Sequence, residues 1–131
     1  MKIVLALFLA SLNFMLLDFI WLGYLAKNFY KREVGHLLIE NPLSQPQGII
    51  SALVVYAALV AGIFLFVLHG AKNYTEVIIR GALFGLISYA IYDFTNLCTL
   101  KDWSLKVALV DVMWGAVLCG TTSLVAFWAM K

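Results

Sequence analysis

Four apolar runs, each about as long as a bilayer is thick, dominate the chain. A membrane-crossing helix needs about 20 predominantly apolar residues. Residues 3–26, 46–69, 75–100 and 104–130 all reach that length. Composition agrees with this reading. Of 131 residues, 64% are hydrophobic and 12% charged, whereas a soluble domain is about half apolar and about a quarter charged. Too few polar residues remain to cover a water-facing surface. The expected fold is all-α: an integral membrane four-helix bundle, one transmembrane domain, with both termini on the same side.

The stretch "MKIVLALFLASLN" imitates a secretory leader, with Lys2 ahead of an apolar core. The apolar run continues past Asn13 through "FMLLDFIWLGYLA", so we read it as a retained span. Ser44 and Gln47 have capping-box spacing before the second span, and Pro46 suits its first turn. Gly70 suits the end of that helix. Asn73 or Thr75 is placed to cap the third span, and the fourth follows "KDWS". Between the first two spans, residues 27–45 read as an interfacial loop or short helix, with Phe29, Val34, Leu37 and Leu38 set among charges.

Charge excludes one class of partner and leaves orientation open. The net charge is +2 and the basic residues sit at span ends, which gives nucleic acid no surface to bind. Lys2, Lys72, Arg80 and Lys131 flank one face; Lys27, Lys31, Arg32, Lys101 and Lys106 flank the other. This balance gives the positive-inside rule nothing to act on. It also permits insertion both ways up, and so a homodimer. Cys98 and Cys119 lie inside apolar runs with no CxxC spacing and read as packing residues.

Asp18, Asp93 and Asp111 are the only acidic residues inside the expected spans apart from Glu76 at the start of the third. Each lies about two turns inside the same end of its span, roughly 10–12 Å below one membrane face at 1.5 Å per residue. A lone charge within a span costs several kcal/mol. Three outcomes resolve that: a carboxyl takes up a proton, a cation or cationic group sits among them, or water reaches them. The neighbours are polar or aromatic. Tyr89, Asp93 and Asn96 share a helical face, flanked by Tyr92 and Thr95. Asp18 and Trp21 share another, with Ser11 behind. Asp111, Gly115, Cys119 and Thr122 form a ridge beside Trp114. If a metal binds, Asp18, Asp93 and Asp111 are its ligands, and a divalent cation is the species to consider. The second span, apolar but for Ser51 and Tyr56, reads as support.

Each feature has a plainer reading. Buried Asp, Asn and Tyr can simply hold helices in register. Trp21 and Trp114 can be packing or interface anchors, and Gly81 and Gly85 a close-packing ridge. His36, a lone loop histidine, is ordinarily solvated. "LDFIWL" and "YDFTNL" share D-F-x-x-L, a faint sign of a duplicated two-helix unit.

At "LDFIWLG", "YAIYDFTNL" and "VDVMWG" the chain resembles the domain-of-unknown-function family DUF2177, small predicted membrane proteins of bacteria. The resemblance implies a four-span protein of a bacterial cytoplasmic membrane and brings no activity with it. The residues themselves favour a protein that binds or transports a proton, a cation or a small cationic ligand, with cation–π help from the aromatics. Two other readings stay open: an enzyme acting on lipid through metal or acid–base chemistry, and a structural subunit of a membrane complex. Whether the chain is an enzyme is not readable.

Overall fold

The computed structural model describes all 131 residues. Five α-helical segments follow one another: α1 (Lys2–Leu25), α2 (Lys27–Val34), α3 (Pro46–Val67), α4 (Tyr74–Thr99) and α5 (Leu105–Met130). All but α2 are long and apolar enough to cross a membrane. Of 102 backbone hydrogen bonds, 90 lie inside helices. That is the arrangement a bilayer demands, because lipid offers no partner for a free N–H or C=O. The two chain ends meet at one end of the bundle, where the Lys2 ammonium donates to the Lys131 carbonyl.

Helix ends follow local chemistry, with one correction. The Asn73 side chain accepts from the Glu76 N–H at 2.9 Å and caps α4. Ser104 caps α5 by accepting from the Val107 N–H at 3.4 Å. The expected Ser44–Gln47 box does not form. Ser44 instead donates to the Asn41 carbonyl at 2.7 Å within a short 3-10 turn, and α3 starts behind Gln45 with Pro46 in its first turn. Gly70 turns the chain out of α3 with φ at 70°, a conformation that glycine adopts without strain.

Both α1 and α3 finish in a π-helical turn, at Trp21–Leu25 and Ile63–Val67. The wider turn rotates the residues after it relative to the helix before it, which is why such turns often occur at functional sites. After the first, Ala26 breaks the helix (φ −108°, ψ 2°) and α2 begins.

The bundle is built around α5. Within its membrane-crossing window 44% of residues are buried, against 17–22% in the other three helices. Helix α4 packs along one side of α5 and α1 along another, while α1 and α4 do not pack on each other. Helix α3 touches α1, and its π turn reaches α4 and α5. Phe14, Ile63, Val67, Val77 and Leu118 fill the shared core. The two halves suggested by the faint repeat are therefore packed unequally. The expected close-packing ridge is present: Gly81 and Gly85 of α4 lie directly against Cys119, Ser123 and Gly115 of α5. Between α1 and α5, Asn13 donates to Thr122 at 3.0 Å.

Helix α2 is tied down at its far end, where Val34 is fully buried. The Glu33 carboxylate accepts from the Ser104 hydroxyl at 2.9 Å. That bond, with help from Lys106 and Arg32, holds Glu33 below its ordinary value of 4.5. A carboxylate lowered on folding stabilises above its unfolded value, and loses that contribution as pH falls through the folded one. Acidification below about 4.5 should therefore loosen the α2–α5 contact. Amide exchange at Val34 and Val107 should quicken there in the native protein. In Glu33→Gln it should change little with pH over that window; equal pH dependence in both proteins would count against the bond.

Candidate functional site

Trp21 opens the π turn of α1 and stacks flat on Trp114 of α5, with ring centroids 4.5 Å apart and planes 8° from parallel. Each indole N–H then serves a different aspartate. Trp114 Nε1 donates to Asp18 Oδ1 at 3.2 Å, and the Tyr56 hydroxyl of α3 donates to Asp18 Oδ2 at 2.8 Å. Trp21 Nε1 donates to the Tyr30 hydroxyl at 3.2 Å, which in turn donates to Asp111 Oδ1. Burial, then its bond to Asp111, raises the Tyr30 phenol above its ordinary range, so it stays a donor. Two of the three carboxylates are thus held by donors from three different helices.

Asp93 differs. It is fully buried on α4, yet neither of its oxygens accepts a hydrogen bond. Its polar neighbours are the Asp111 carboxyl and the indole of Trp103, which sits in the α4–α5 loop with its ring edge-on to Tyr92 at 6.1 Å. The Trp103 N–H is buried and unpartnered as well.

The structure brings Asp18, Asp93, Asp111, Trp21 and Trp114 together beside and on α5. Tyr89 lies half-buried across Gly115, one turn beyond Asp111. Asn96 is half-buried one turn beyond Asp93. Tyr92 and Thr95 are exposed and stay outside the buried group. His36 is exposed and lies 3.9 Å from Asp102, at the surface. Cys98 and Cys119 are both free, the second buried in the core. No three His, Cys, Asp or Glu side chains are grouped so as to hold a metal ion.

Three participants escaped the sequence reading. Tyr56 was visible as the lone aromatic hydroxyl of the second span, but its reach to Asp18 makes α3 part of the site and not only its support. Tyr30 belongs to a helix outside the spans, and it meets Asp111 only because α2 folds back over the bundle. Trp103 lies in the "KDWS" stretch ahead of the fourth span, where nothing in the pattern points to a buried carboxyl.

Taken together, these helices and their packing make a four-span helical membrane protein. A family model described as "Predicted membrane protein (DUF2177)" matches residues 3–128. The chain belongs to that family. No curated protein and no solved structure matches it.

Proposed function

We propose that this protein binds, and moves across or within a bacterial cytoplasmic membrane, a proton or small cation held between Asp93 and Asp111. One observation carries the reading: a wholly enclosed carboxyl group, Asp93, receives no hydrogen bond and lies beside a second carboxyl. Two carboxylates so placed cannot both stay charged without a compensating positive group. Asp18 has the opposite character. Its oxygens are filled by Tyr56 and Trp114, and it ties α1, α3 and α5 together. We therefore assign Asp18 to holding the bundle, and Asp93 with Asp111 to the ligand. Tyr30 and Trp21 hold Asp111 in place.

The test is Asp93→Asn, which keeps the shape and removes the charge. Detergent-solubilised protein is titrated with Na⁺, K⁺, Mg²⁺ and tetraphenylphosphonium in weakly buffered solution, and proton uptake or release is followed with heat of binding. The native protein should exchange protons with the medium or bind one of these cations. Asp93→Asn should fold with little change in thermal midpoint and lose the response. For a cation in direct contact the loss is on the order of 2–5 kcal/mol. A folded Asp93→Asn protein with an unchanged response would remove Asp93 from the function.

A further inference from the structure

Beyond the charge of the pair, the identity of what it holds is written in a third buried group. Beside Asp93 lies a donor, the Trp103 N–H, close to the carboxyl but out of hydrogen-bonding geometry with it. Whatever completes this place must answer two demands at once. It must neutralise one of two adjacent carboxylates, and it must leave an oxygen lone pair for an indole N–H, which can only donate. A metal ion needs more ligands than a pair of carboxyls, and no third His, Cys, Asp or Glu side chain is grouped with these two. An ammonium group needs room beside Asp93, which is fully enclosed. A proton meets both. Placed on one oxygen of the pair, it makes an O–H that bridges the two carboxyls, and it leaves the other Asp93 oxygen to accept from Trp103.

We propose that the Asp93–Asp111 pair is a proton-binding site, with a single proton shared between the two carboxyls and the free Asp93 oxygen held by the Trp103 N–H. This rests on the reading of the pair as the ligand site. Binding is simple: one O–H bond breaks in hydronium, one forms on the carboxylate, and water leaves. The other ionisable groups around Asp93 are Asp111 of α5, Tyr30 of α2 and Tyr92 of its own helix. Asp18 of α1 acts on Asp111 from farther off. Tyr30 already donates to one oxygen of Asp111, which leaves the other for the bridge. Trp103 belongs to the loop between α4 and α5, next to the exposed Lys101 and Asp102.

Infrared difference spectroscopy of the protein in lipid nanodiscs tests this, in H₂O and D₂O, from mildly acid to mildly alkaline pH. The expected result is one carboxylic-acid C=O band that shifts down in D₂O and disappears on alkalinisation. It should be indifferent to Na⁺, K⁺, Mg²⁺ or tetraphenylphosphonium at fixed pH, and absent in Asp93→Asn. Trp103→Phe keeps both carboxyls and deletes only the N–H. It should move that band to higher frequency, because a C=O freed of a hydrogen bond stiffens; a merely structural tryptophan would leave it in place. The second variant also keeps the test valid if Asp93→Asn does not fold. A band erased by Na⁺ or another cation at constant pH would overturn the proton assignment and leave the cation reading standing. A band unmoved in Trp103→Phe would overturn the arrangement drawn here. No titrating carboxyl and no cation-dependent change would overturn both.

Discussion

Replacing Gly85 with alanine should lower the unfolding free energy by about 3 kcal/mol, the upper part of the range for overpacking, while the same change at Gly120 should leave it unchanged or raise it. A Cβ on Gly85 would lie 1.9 Å from the Gly115 carbonyl oxygen and 2.7 Å from the Cys119 Cβ. The nearest obstacle is backbone, so no side chain can swing aside. Helices α4 and α5 would have to separate along their tightest contact. At Gly120 the nearest atoms, the Ile78 carbonyl oxygen and the Ala82 Cβ and N, stand 3.5–3.6 Å away, an ordinary contact. There alanine adds packing and gains up to about 1 kcal/mol of helix propensity. The contrast is sharp because helices in lipid gain nothing by hiding apolar side chains from one another. They associate through close approach and hydrogen bonds. Thermal unfolding of the two variants in one detergent decides it. Equal midpoints would show that the α4–α5 ridge is not what holds the bundle.

Asp18→Val should destabilise the protein strongly, and Asp93→Val should not. Valine is the nearest apolar match to aspartate in size. At residue 18 it would strand the Tyr56 hydroxyl and the Trp114 N–H, both now satisfied by the carboxylate. Each stranded donor costs roughly 1–3 kcal/mol in a protein interior. Interhelical bonds in bilayers fall toward the low end, because the separated helices find other partners. A total of roughly 2–3 kcal/mol is expected. At residue 93 no donor from another helix ties the bundle through the carboxyl; the bridge to Asp111 and the Trp103 contact are lost, but so is the burial of a second carboxyl beside Asp111. Stability should hold or rise, as when a buried charge gives way to a packed apolar group. Asp18→Asn should be mild, because its one oxygen can keep Trp114 while its amide donates to Tyr56. Comparable losses at 18 and 93 would undo the division between a structural and a ligand-binding aspartate.

The contrast between these two aspartates was not legible in the sequence, and the reason is geometric. Asp18, Asp93 and Asp111 could be assigned a common depth because depth along a helix is one-dimensional: it follows from residue count and a fixed rise. Their partners depend on helix rotation and on which helices are neighbours. In a soluble bundle the apolar stripe reveals both. Here every face is apolar, so the pattern carries no such information. That is why Tyr92 and Thr95, near Asp93 in the chain, turn outward, while Trp103 comes to it from a loop.

By itself, then, the amino-acid order determined the number of long apolar helices, the cap at Asn73 and the family to which the chain belongs. Each of these is a local property, of a window, a turn or a motif. The tertiary structure alone decided that α5 stands between α1 and α4, because close approach at Gly85 and Gly115 sets helix neighbours where lipid gives no hydrophobic preference. It also decided that the π turn at Trp21 and the fold-back of α2 give Asp111 a donor. Asp93 received none, because no donor-bearing side chain of the neighbouring helices comes into bonding position at its place on α4.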